Sequence, residues 1–422
     1  MREMKDSGIE WVGQIPFSWD VKPIRAKFRE VTEKNKLGIE KNALKFTYGN
    51  IVKKDNFDAA DDDYVANTIL NYMVVNPGTI MLNGLNLNFD FVTQRVALVK
   101  ERGIITSAYI AFAPILDDDI STQFFTYLLK AYDSCKAFHN MGGGVRKILN
   151  FAELKKQYIV YPTITEQKRI ANFLDAKCAE IDALTADIQT QIDILEQYKR
   201  SVITEAVTKG LNPDVEMKDS GIEWIGEIPS TWNIIRGKYL LKYLQKPVKE
   251  DDGVITCFRD GEVTLRSNRR EDGFTMSDKE IGYQGIDAGD LVVHGMDGFA
   301  GAIGISDSRG KASPVLNVMD TKQNKRYIMY YLRSMAYSDV FVALATGIRV
   351  RSCDLRWNKL ADLPYPVPSI EEQTAIVEYI DTTLEKTDVV ISKKKAQLET
   401  LDEYKKSLIY EYVTGKTGVP SI

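Results

Sequence analysis

A long internal repeat is the feature that most constrains this chain. Residues 162–208 recur at residues 368–414, at a constant offset and without a gap. Two copies of one segment within a single chain predict an internally repeated architecture. The first copy keeps the following residues in common with the second: Pro162, Ile164, Glu166, Gln167, Ile170, Asp175, Asp182, Tyr198, Lys199, Ser201, Ile203, Glu205, Val207 and Thr208.

Each copy has the features of one long helix. Thr163-x-x-Glu166 and Ser369-x-x-Glu372 fit a capping box, in which the hydroxyl accepts from the N3 amide and the glutamate reaches back to the N-cap amide. Neither copy contains Gly or Pro beyond its cap, and the first ends at Gly210, a typical helix stop. At 1.5 Å per residue such a helix is a rod of roughly 60 Å.

Apolar residues recur at every seventh position of both predicted helices. The first set is Leu174, Ile181, Ile188, Leu195 and Val202, and the second is Val377, Leu384, Ile391 and Leu398. A second seam position is partly filled by Ile170, Leu184, Tyr198, Ile380, Leu401 and Leu408, and polar seam positions are Lys177, Gln191, Thr387 and Lys394. A seven-residue repeat predicts a coiled-coil seam. We expect the copies to pair within one chain, with dimerisation between chains as the alternative.

Composition bounds the class of protein. A length of 422 residues with a repeat of half that length suggests two halves of ordinary domain size. The net charge of −4 argues against a uniformly basic nucleic-acid binder but leaves local basic surfaces open. The four cysteines lie far apart, without metal or disulfide spacing, which suits a reducing cytoplasm. We expect a cytoplasmic protein with no signal peptide and no membrane span.

A second repeat precedes each variable region. Residues 4–19 and 217–232 share the pattern Met-Lys-Asp-Ser-Gly-Ile-Glu-Trp-(Val/Ile)-Gly-x-Ile-Pro and a final Trp. Their glycines and prolines favour turns. We expect the aromatic and Ile residues of these segments to anchor them on the fold, with contact to a partner protein as the alternative.

The regions between the repeats, residues 20–161 and 233–366, differ from each other. Each has short apolar runs typical of strands, then an amphipathic helical pattern. Each then has a loop containing Gly and Arg, at residues 141–147 and 346–351. Two copies of one frame therefore carry two different binding domains, which predicts an α+β fold with a pseudo-twofold internal repeat.

Catalytic patterns are missing from the sequence. His139 and His294 lie in different halves and have no Asp or Cys partner at a telling spacing. Gly415-Lys416-Thr417 follows a predicted helix, not a strand, so it does not fit a P-loop. We therefore expect a binding protein with no metal and no cofactor of its own.

The two duplicated motifs, with Pro-x-Ile-x-Glu-Gln opening each long helix, resemble those of the specificity (S) subunits of type I restriction-modification systems. The resemblance covers the whole chain. It implies two globular target-recognition domains, separated by two long antiparallel helices that form an intramolecular coiled coil. The implied division is an N-terminal segment with the first target-recognition domain (1–161), a central helix (162–211), the second domain (212–366) and a C-terminal helix (367–422).

The resemblance also implies function and partners. Each target-recognition domain would read one half of a split, asymmetric site in double-stranded DNA, and the subunit itself would be non-catalytic. It would recruit two methyltransferase (M) subunits, which use S-adenosylmethionine, and restriction (R) subunits, which cleave DNA with ATP and Mg. A stiff helical rod would set the spacing between the half-sites.

Candidate DNA contacts follow from side-chain chemistry, because the family's base-reading residues vary. Arg reads guanine and Asn or Gln reads adenine, while Lys and Arg on loops contact phosphates. The candidates are Tyr48, Asn50, Lys53, Lys54, Asn83, Asn86, Arg146, Lys147, Arg259, Arg266, Arg269, Arg270, His294, Arg349 and Arg351. The alternative for the cluster between Arg259 and Arg270 is a solvated hairpin whose charge is offset by neighbouring acidic residues.

Two other classes of protein fit parts of this pattern. A coiled-coil scaffold that bridges proteins would use the helices and would not bind DNA. A stand-alone DNA-binding regulator would bind its site tightly without a partner. Site-specific DNA binding that requires a methyltransferase separates both from an S subunit.

Overall fold

The chain folds into two compact units in the computed structural model, which describes residues 2–54, 69–92, 94–116, 118–269, 280–344 and 355–420. The first unit joins Met1–Ile188 to Ala396–Ile422, and the second is Gln189–Lys395. Each unit therefore contains one globular domain and one part of each long helix. In the part of the chain that is described, no helix has the length and apolar character to cross a membrane.

The globular part of the first unit is built on a four-stranded antiparallel sheet, in the order β4-β11-β8-β9. The remaining strands form two-stranded pairs, β1-β2, β3-β12, β5-β6 and β7-β10. The strands are β1 (Met4–Asp6), β2 (Gln14–Pro16), β3 (Asp20–Pro23), β4 (Phe28–Glu30), β5 (Leu44–Thr47), β6 (Asn50–Lys53), β7 (Met73–Val75), β8 (Ile80–Leu82), β9 (Val96–Leu98), β10 (Gly103–Ile105), β11 (Ile110–Pro114) and β12 (Tyr158–Tyr161). The helices of this part are α1 (Thr122–Ser134) and α2 (Phe151–Leu154).

Helix α1 covers the sheet and closes the first core. Ser121 caps it by accepting a hydrogen bond from the Phe124 amide at 3.3 Å. Phe124 and Phe125 are fully buried and meet Phe28 of β4, whose ring lies edge-on to Phe125 at 5.2 Å. The amphipathic helix predicted from sequence is therefore present, and its apolar face forms the core.

The second unit repeats this strand order, because its four-stranded sheet runs β16-β23-β20-β21. Its strands are β13 (Met217–Asp219), β14 (Glu227–Pro229), β15 (Asn233–Arg236), β16 (Leu241–Tyr243), β17 (Ile255–Cys257), β18 (Val263–Leu265), β19 (Gln284–Ile286), β20 (Leu291–His294), β21 (Ile303–Ile305), β22 (Gly310–Ala312), β23 (Leu316–Thr321) and β24 (Pro364–Val367). Its helices are α4 (Gly237–Leu240), α5 (Lys325–Tyr337), α6 (Val340–Ala343) and α7 (Trp357–Asp362). The internal repeat predicted from the flanking motifs thus extends through the divergent regions.

The two long helices are α3 (Ile164–Lys209) and α8 (Ile370–Val413), and they run antiparallel within each unit. In the first unit, Asp182 pairs with Lys405 at 2.5 Å, while Arg169 near the start of α3 reaches the Val419 carbonyl beyond the end of α8. In the second unit, Lys199 pairs with Asp388 at 2.5 Å. The predicted pairing of the helices inside one chain is confirmed.

The seam between the helices follows the predicted seven-residue spacing only in part. Leu174 and Ile188 are buried as predicted, whereas Leu184 and Tyr198 are about half exposed, so their assignment to the seam was wrong. Buried isoleucines instead lie eleven residues apart, at Ile170, Ile181, Ile192 and Ile203. Because a straight helix has 3.6 residues per turn, its contact stripe drifts from a strict heptad, and an eleven-residue spacing follows the stripe more closely.

The polar seam positions have specific partners. In the second unit, the Lys394 ammonium donates to the Gln191 side-chain oxygen, and the Thr387 hydroxyl donates to the Thr383 carbonyl at 2.7 Å. In the first unit, Lys177 lies at the surface and pairs with Glu180 at 2.7 Å. The Gln191–Lys394 pair fixes the register of the two helices, as polar seam residues do in other coiled coils.

The glutamate of each predicted capping box binds a tryptophan instead of the N-cap amide. Glu166 accepts from the Trp19 indole N–H at 2.8 Å, and Glu372 accepts from that of Trp232 at 3.0 Å. Both indoles are fully buried. A buried indole N–H needs an acceptor, and this need outweighs the reciprocal half of the capping box. The prediction that aromatic residues anchor the duplicated N-terminal segments is thereby confirmed for Trp19 and Trp232, whereas Phe17 is 61% exposed and Trp224 is 40% exposed.

The glutamine after each of these glutamates links a globular domain to its long helix. Gln167 is fully buried; its amide group donates to the Pro162 carbonyl at 2.8 Å and accepts from the Ser121 amide at 2.8 Å. In the second unit, Gln373 accepts from the Asn324 amide at 3.0 Å. Ser121 is the N-cap of α1 and Asn324 is the N-cap of α5. In each unit the glutamine therefore joins the start of the long helix to the start of the helix that covers the sheet.

We predict that Gln167→Met lowers the free energy of unfolding of the first unit by about 2–4 kcal/mol. The methionine fills the space but leaves buried backbone groups without partners, and each such group costs about 1–3 kcal/mol. The matched control is Gln189→Met on the exposed surface of α3, for which we expect less than about 0.5 kcal/mol. Denaturant titration measures both, and equal effects would contradict the structural role of Gln167.

Candidate nucleic-acid interface

Three loops of the first unit meet at one end of its sheet. They are the β5–β6 turn, the loop 83–95 and the glycine loop 141–149. The Leu149 amide donates to the Gly84 carbonyl at 2.9 Å, and the Asn88 side chain donates to the Val145 carbonyl at 3.0 Å. A Cβ placed on Gly49 would lie 2.7 Å from the Gln94 side-chain oxygen, so the β5–β6 turn lies against loop 83–95. We call these three loops the first reading face.

Most of the candidate residues of the first domain lie on this face. Asn86 and Arg146 are exposed on its two longer loops, and Lys147 is partly exposed beside Arg146. Tyr48 is exposed at the tip of the β5–β6 turn, with Asn50 directly after it. The fold thus brings together residues up to about one hundred positions apart in sequence.

Lys53 and Lys54 lie at the other end of the β5–β6 hairpin. Lys53 pairs with Leu44 across the hairpin and is 3.7 Å from the Glu101 carboxylate. The Lys54 amide donates to the Ala43 carbonyl at 2.9 Å. The structure therefore separates these two lysines from the other candidates. Strand β6 starts beside the turn at Asn50 and runs away from it, so that Lys53 and Lys54 lie at its far end.

Sequence reasoning missed Arg95, which organises the first reading face. Its side chain is fully buried, and its guanidinium donates to four backbone carbonyls of loop 83–95. The acceptors and distances are Asn83 (3.0 Å), Leu85 (2.7 Å), Asn86 (3.4 Å) and Asp90 (2.7 Å). The strand that follows this loop, β9, spans Val96–Leu98 and so begins directly after Arg95. An arginine at the start of an apolar run was the available signal.

Asp133 of α1 completes this buried network. Its carboxylate accepts from the Arg95 backbone amide at 2.8 Å. Burial raises the pKa of Asp133, and the bond from the Arg95 amide and the nearby Arg95 charge oppose that rise. His139 adds a second support, because its ring contacts the Asp90 carbonyl at 3.0 Å and stacks on Phe91 at 4.7 Å. The loop is therefore held in one conformation by buried polar contacts.

Tyr48 adopts a backbone conformation that L-residues rarely adopt. Its φ is 45°, and Gly49 follows with a φ of 71°, in a two-residue turn between Thr47 and Asn50. Asn, Asp or Gly is the usual residue at such a position. A strained aromatic side chain displayed at a turn tip is a pattern of functional sites rather than of stable hairpins.

We predict opposite effects of Tyr48→Asn on stability and on binding. The asparagine relieves the left-handed strain and should raise the free energy of unfolding by about 1 kcal/mol. The same change removes the exposed ring and should weaken DNA binding several-fold. Tyr48→Ala is the control, because it removes the ring and keeps the strain. Denaturant titration and DNA binding measure the two effects, and unchanged DNA affinity in both variants would remove Tyr48 from the candidates.

The candidates of the second domain line one cleft of about 810 Å³. It lies between the β17–β18 hairpin and the loop that follows β20. Its wall includes Arg259, Arg266, Arg269 and His294. Arg270, Arg349 and Arg351 fall outside the described residues, and so does the whole of the second glycine loop (346–351). We call the cleft with its rim the second reading face.

The arginines of the second reading face are partnered by acidic neighbours. Arg259 pairs with Asp297 at 2.9 Å, and Arg269 pairs with Asp260 at 2.6 Å. The Arg269 guanidinium also lies 4.3 Å from the centre of the Phe258 ring. The alternative interpretation of this cluster was a solvated hairpin whose positive charge is offset by acidic residues. These ion pairs supply such an offset. A DNA phosphate would have to compete with these carboxylates for the two arginines.

His294 caps the turn after β20, as Asn83 caps the turn after β8. Its Nδ1 accepts from the amides of Met296 and Asp297, at 3.2 and 2.9 Å. In the first domain the Asn83 side-chain oxygen accepts from the Leu85 amide at 3.1 Å. Burial lowers the pKa of His294; the Asp297 carboxylate opposes this and Arg259 adds to it. The ring is therefore neutral at pH 7, with its proton on Nε2.

We predict that acidification destabilises the second unit through His294. The unfolded chain binds a proton near pH 6.5. The folded ring resists protonation. Its contribution to the free energy of unfolding is therefore complete above that pH and is lost as the pH falls through the lower folded pKa. His294→Asn keeps the acceptor and should remove this pH dependence, whereas His294→Ala also loses the cap. Unfolding free energies at pH 5.5 and 7.5 test this, and the wild-type pH dependence in His294→Asn would contradict it.

Known proteins resemble this chain in sequence along most of its length. Residues 23–193 match the family described as the type I restriction modification DNA specificity domain. The MjaVIII specificity subunit of Methanocaldococcus jannaschii is 25% identical over 81% of this chain and 80% of its own length. A second subunit of that organism, MjaX, is 22% identical over 97% of this chain and 96% of its own length. The EcoBI specificity subunit of Escherichia coli is 24% identical over 72% of this chain and 67% of its own length.

Solved structures share the fold. A chain from a study of complex assembly and conformational transition in the type I restriction-modification system superposes with a TM-score of 0.66, at 12% identity, over 96% of this chain and 99% of its own. The HsdS subunit of Thermoanaerobacter tengcongensis superposes with a TM-score of 0.50, at 12% identity, over 96% and 98%. Together with the duplicated motifs and the two repeated units, these matches show that the chain resembles type I restriction-modification specificity subunits in sequence and in fold.

Proposed function

We propose that this chain gives a type I restriction-modification complex its DNA specificity, with each target-recognition domain reading one half of a bipartite, asymmetric site. One observation carries the proposal: the two units share one strand order, yet their reading faces carry different side chains. The first face displays Tyr48 and Arg146, while the second displays Arg259 and Arg269. Two different readers on one frame imply two different half-sites.

The repeated frame supports the recruitment of two copies of one partner. In each unit, a tyrosine of α1 or α5 donates a hydrogen bond to an aspartate of a long helix. Tyr127 donates to Asp175 at 2.7 Å, and Tyr330 donates to Asp381. A chain that repeats its surface can bind the same partner twice. The partners would be two methyltransferase subunits, which bind S-adenosylmethionine, and restriction subunits, which bind ATP and Mg. This chain would be non-catalytic and would act with them in the cytoplasm.

The long helices would set the distance between the half-sites. Both are continuous over more than forty residues, and their register is fixed by the Gln191–Lys394 and Asp182–Lys405 pairs. A helix pair of fixed register has a defined length, because each residue adds 1.5 Å. The length of the DNA spacer would then be set by the helices, and the protein would read no base within the spacer.

The proposal is tested by selecting DNA from a random duplex library with the purified chain, its cognate methyltransferase, or both together. We expect a split motif to be enriched only when both are present. Enrichment of the same motif by the chain alone would instead favour a stand-alone DNA-binding regulator. A stable complex of the two proteins that enriches no sequence would contradict the specificity role and favour a protein-bridging scaffold.

A further inference from the structure

The first reading face exposes large apolar side chains. Phe89 is 71% exposed, Val92 89% and Val145 92%. The three side chains lie on two loops joined by the bond from Asn88 to the Val145 carbonyl. Contiguous apolar side chains are rare on surfaces that contact only water, and they mark sites of binding.

These side chains are exposed although the loops that carry them are fixed. The Phe89 amide donates to the Asn86 carbonyl at 3.2 Å, and the Val92 amide donates to the Asp90 carboxylate at 3.1 Å. Arg95 holds the carbonyls of Asn86 and Asp90 from beneath. The hydrogen-bonded backbone thus holds these side chains at the surface.

The matching loop of the second domain, residues 294–302, has a different character. Met296 is its exposed large apolar residue, at 52%, and Phe299 is partly buried. Polar groups surround it, namely the Arg259–Asp297 ion pair and the neutral ring of His294. The two reading faces are therefore matched in fold and opposite in chemistry.

Duplex DNA offers little apolar surface to such a face. In the major groove, the C5-methyl group of thymine is the apolar group that base pairs present, and it is contacted by side chains such as Phe. We propose, on the basis of the proposed function, that the first target-recognition domain reads its half-site through apolar contact with thymine methyl groups. Phe89, Val92 and Val145 are the specificity-determining residues for those contacts. The half-site of the first domain accordingly contains A·T base pairs, and the second domain reads by polar contacts.

The test uses the chain bound to its methyltransferase and duplexes that carry the selected motif. All thymines of one half-site at a time are replaced by deoxyuridine, which removes only the methyl group. Burial of one methyl group is worth about a three- to fivefold change in affinity. We expect that loss for each contacted thymine in one half-site and less than about twofold in the other.

Variants assign the effect to the first domain. The triple variant Phe89→Ser, Val92→Ser and Val145→Ser should bind thymine and deoxyuridine duplexes equally, because all three apolar partners are gone. Leu116→Ser is the matched control. Leu116 is exposed just beyond the C-terminal end of β11, whereas loop 83–95 adjoins the opposite end of that strand, where Ile110 pairs with Leu82. The control should retain the full discrimination between the two bases.

Three results would overturn the inference while leaving the proposed function intact. They are a first half-site without thymine, binding that ignores deoxyuridine in both half-sites, and discrimination that persists when Phe89, Val92 and Val145 are all replaced by Ser. Indifference to deoxyuridine combined with raised fluorescence of 2-aminopurine placed in the half-site would indicate base unstacking by an apolar wedge instead. Failure of the complex to select any motif would contradict the proposed function itself.

Discussion

Replacing Arg95 with methionine is expected to lower the free energy of unfolding of the first unit by about 3–5 kcal/mol. The variant should also abolish recognition of one half-site. The arginine is fully buried, and its guanidinium satisfies the carbonyls of Asn83, Leu85, Asn86 and Asp90. Methionine has a similar length and no donor, so those carbonyls would be left unpaired or the loop would open to water. Loop 83–95 carries Asn86 and Phe89, so its loss would disable the first reading face.

The pH dependence of this variant separates a buried-charge effect from a packing effect. Burial raises the pKa of Asp133, and Arg95 opposes that rise, so removing the guanidinium should raise it further. A carboxyl group with a raised folded pKa is most favourable when protonated, below its unfolded value of about 3.9, and becomes unfavourable as the pH rises through the folded pKa. The loss of unfolding free energy caused by Arg95→Met should therefore be smaller at pH 4 than at pH 7.

The matched control for this experiment is Arg25→Met, at an exposed arginine of the same unit. We expect its unfolding free energy to change by less than about 0.5 kcal/mol at either pH. Denaturant titrations at the two pH values measure both variants. An Arg95→Met deficit no larger than that of the control would mean that loop 83–95 is not organised by Arg95.

Inserting seven residues into both long helices, after Ile188 and after Lys395, is expected to lengthen the DNA spacer by about three base pairs. Seven residues add about 10 Å, and a base pair occupies about 3.4 Å. The half-sites themselves should stay unchanged, because each reading face lies within one unit. Binding should weaken, since three base pairs also rotate one half-site by about a hundred degrees around the DNA axis.

An insertion in only one helix is the control for the spacer experiment. It would shift one helix against the other and break the Asp182–Lys405 or Lys199–Asp388 pair. We expect that variant to lose selective binding altogether. A double insertion that still selects the original spacer would contradict the idea that helix length measures the site.

The frame of this protein could be predicted from sequence because its signals are local and duplicated. The capping hydroxyls of Thr163 and Ser369, the long runs without Gly or Pro and the repeated Trp segments each act over a few residues. The role of Glu166 was misassigned because its partner, Trp19, lies about 150 positions away. A pattern within the helix could not reveal that a distant indole competes for the same carboxylate.

The reading faces could be predicted only in part. Arg146 and Asn86 were chosen as candidates by side-chain chemistry, and the fold places them on one face. Lys53 was grouped with Tyr48 because the two are close in sequence, although a hairpin sends them to opposite ends. Arg95 was missed because side-chain chemistry alone does not distinguish an arginine that binds DNA from one that binds its own backbone. Burial makes that distinction, and burial depends on the whole fold.

We propose that this chain directs methylation to a split DNA site. This proposal is tested most directly by expressing the chain with its cognate methyltransferase in a host free of DNA methylation and mapping methylated adenines by single-molecule sequencing. The account predicts one asymmetric bipartite motif, methylated on both strands and absent without this chain. It also predicts that replacing residues 233–366 by the matching region of another specificity subunit changes one half of the motif only. An active methyltransferase whose motif is the same with and without this chain would contradict the account.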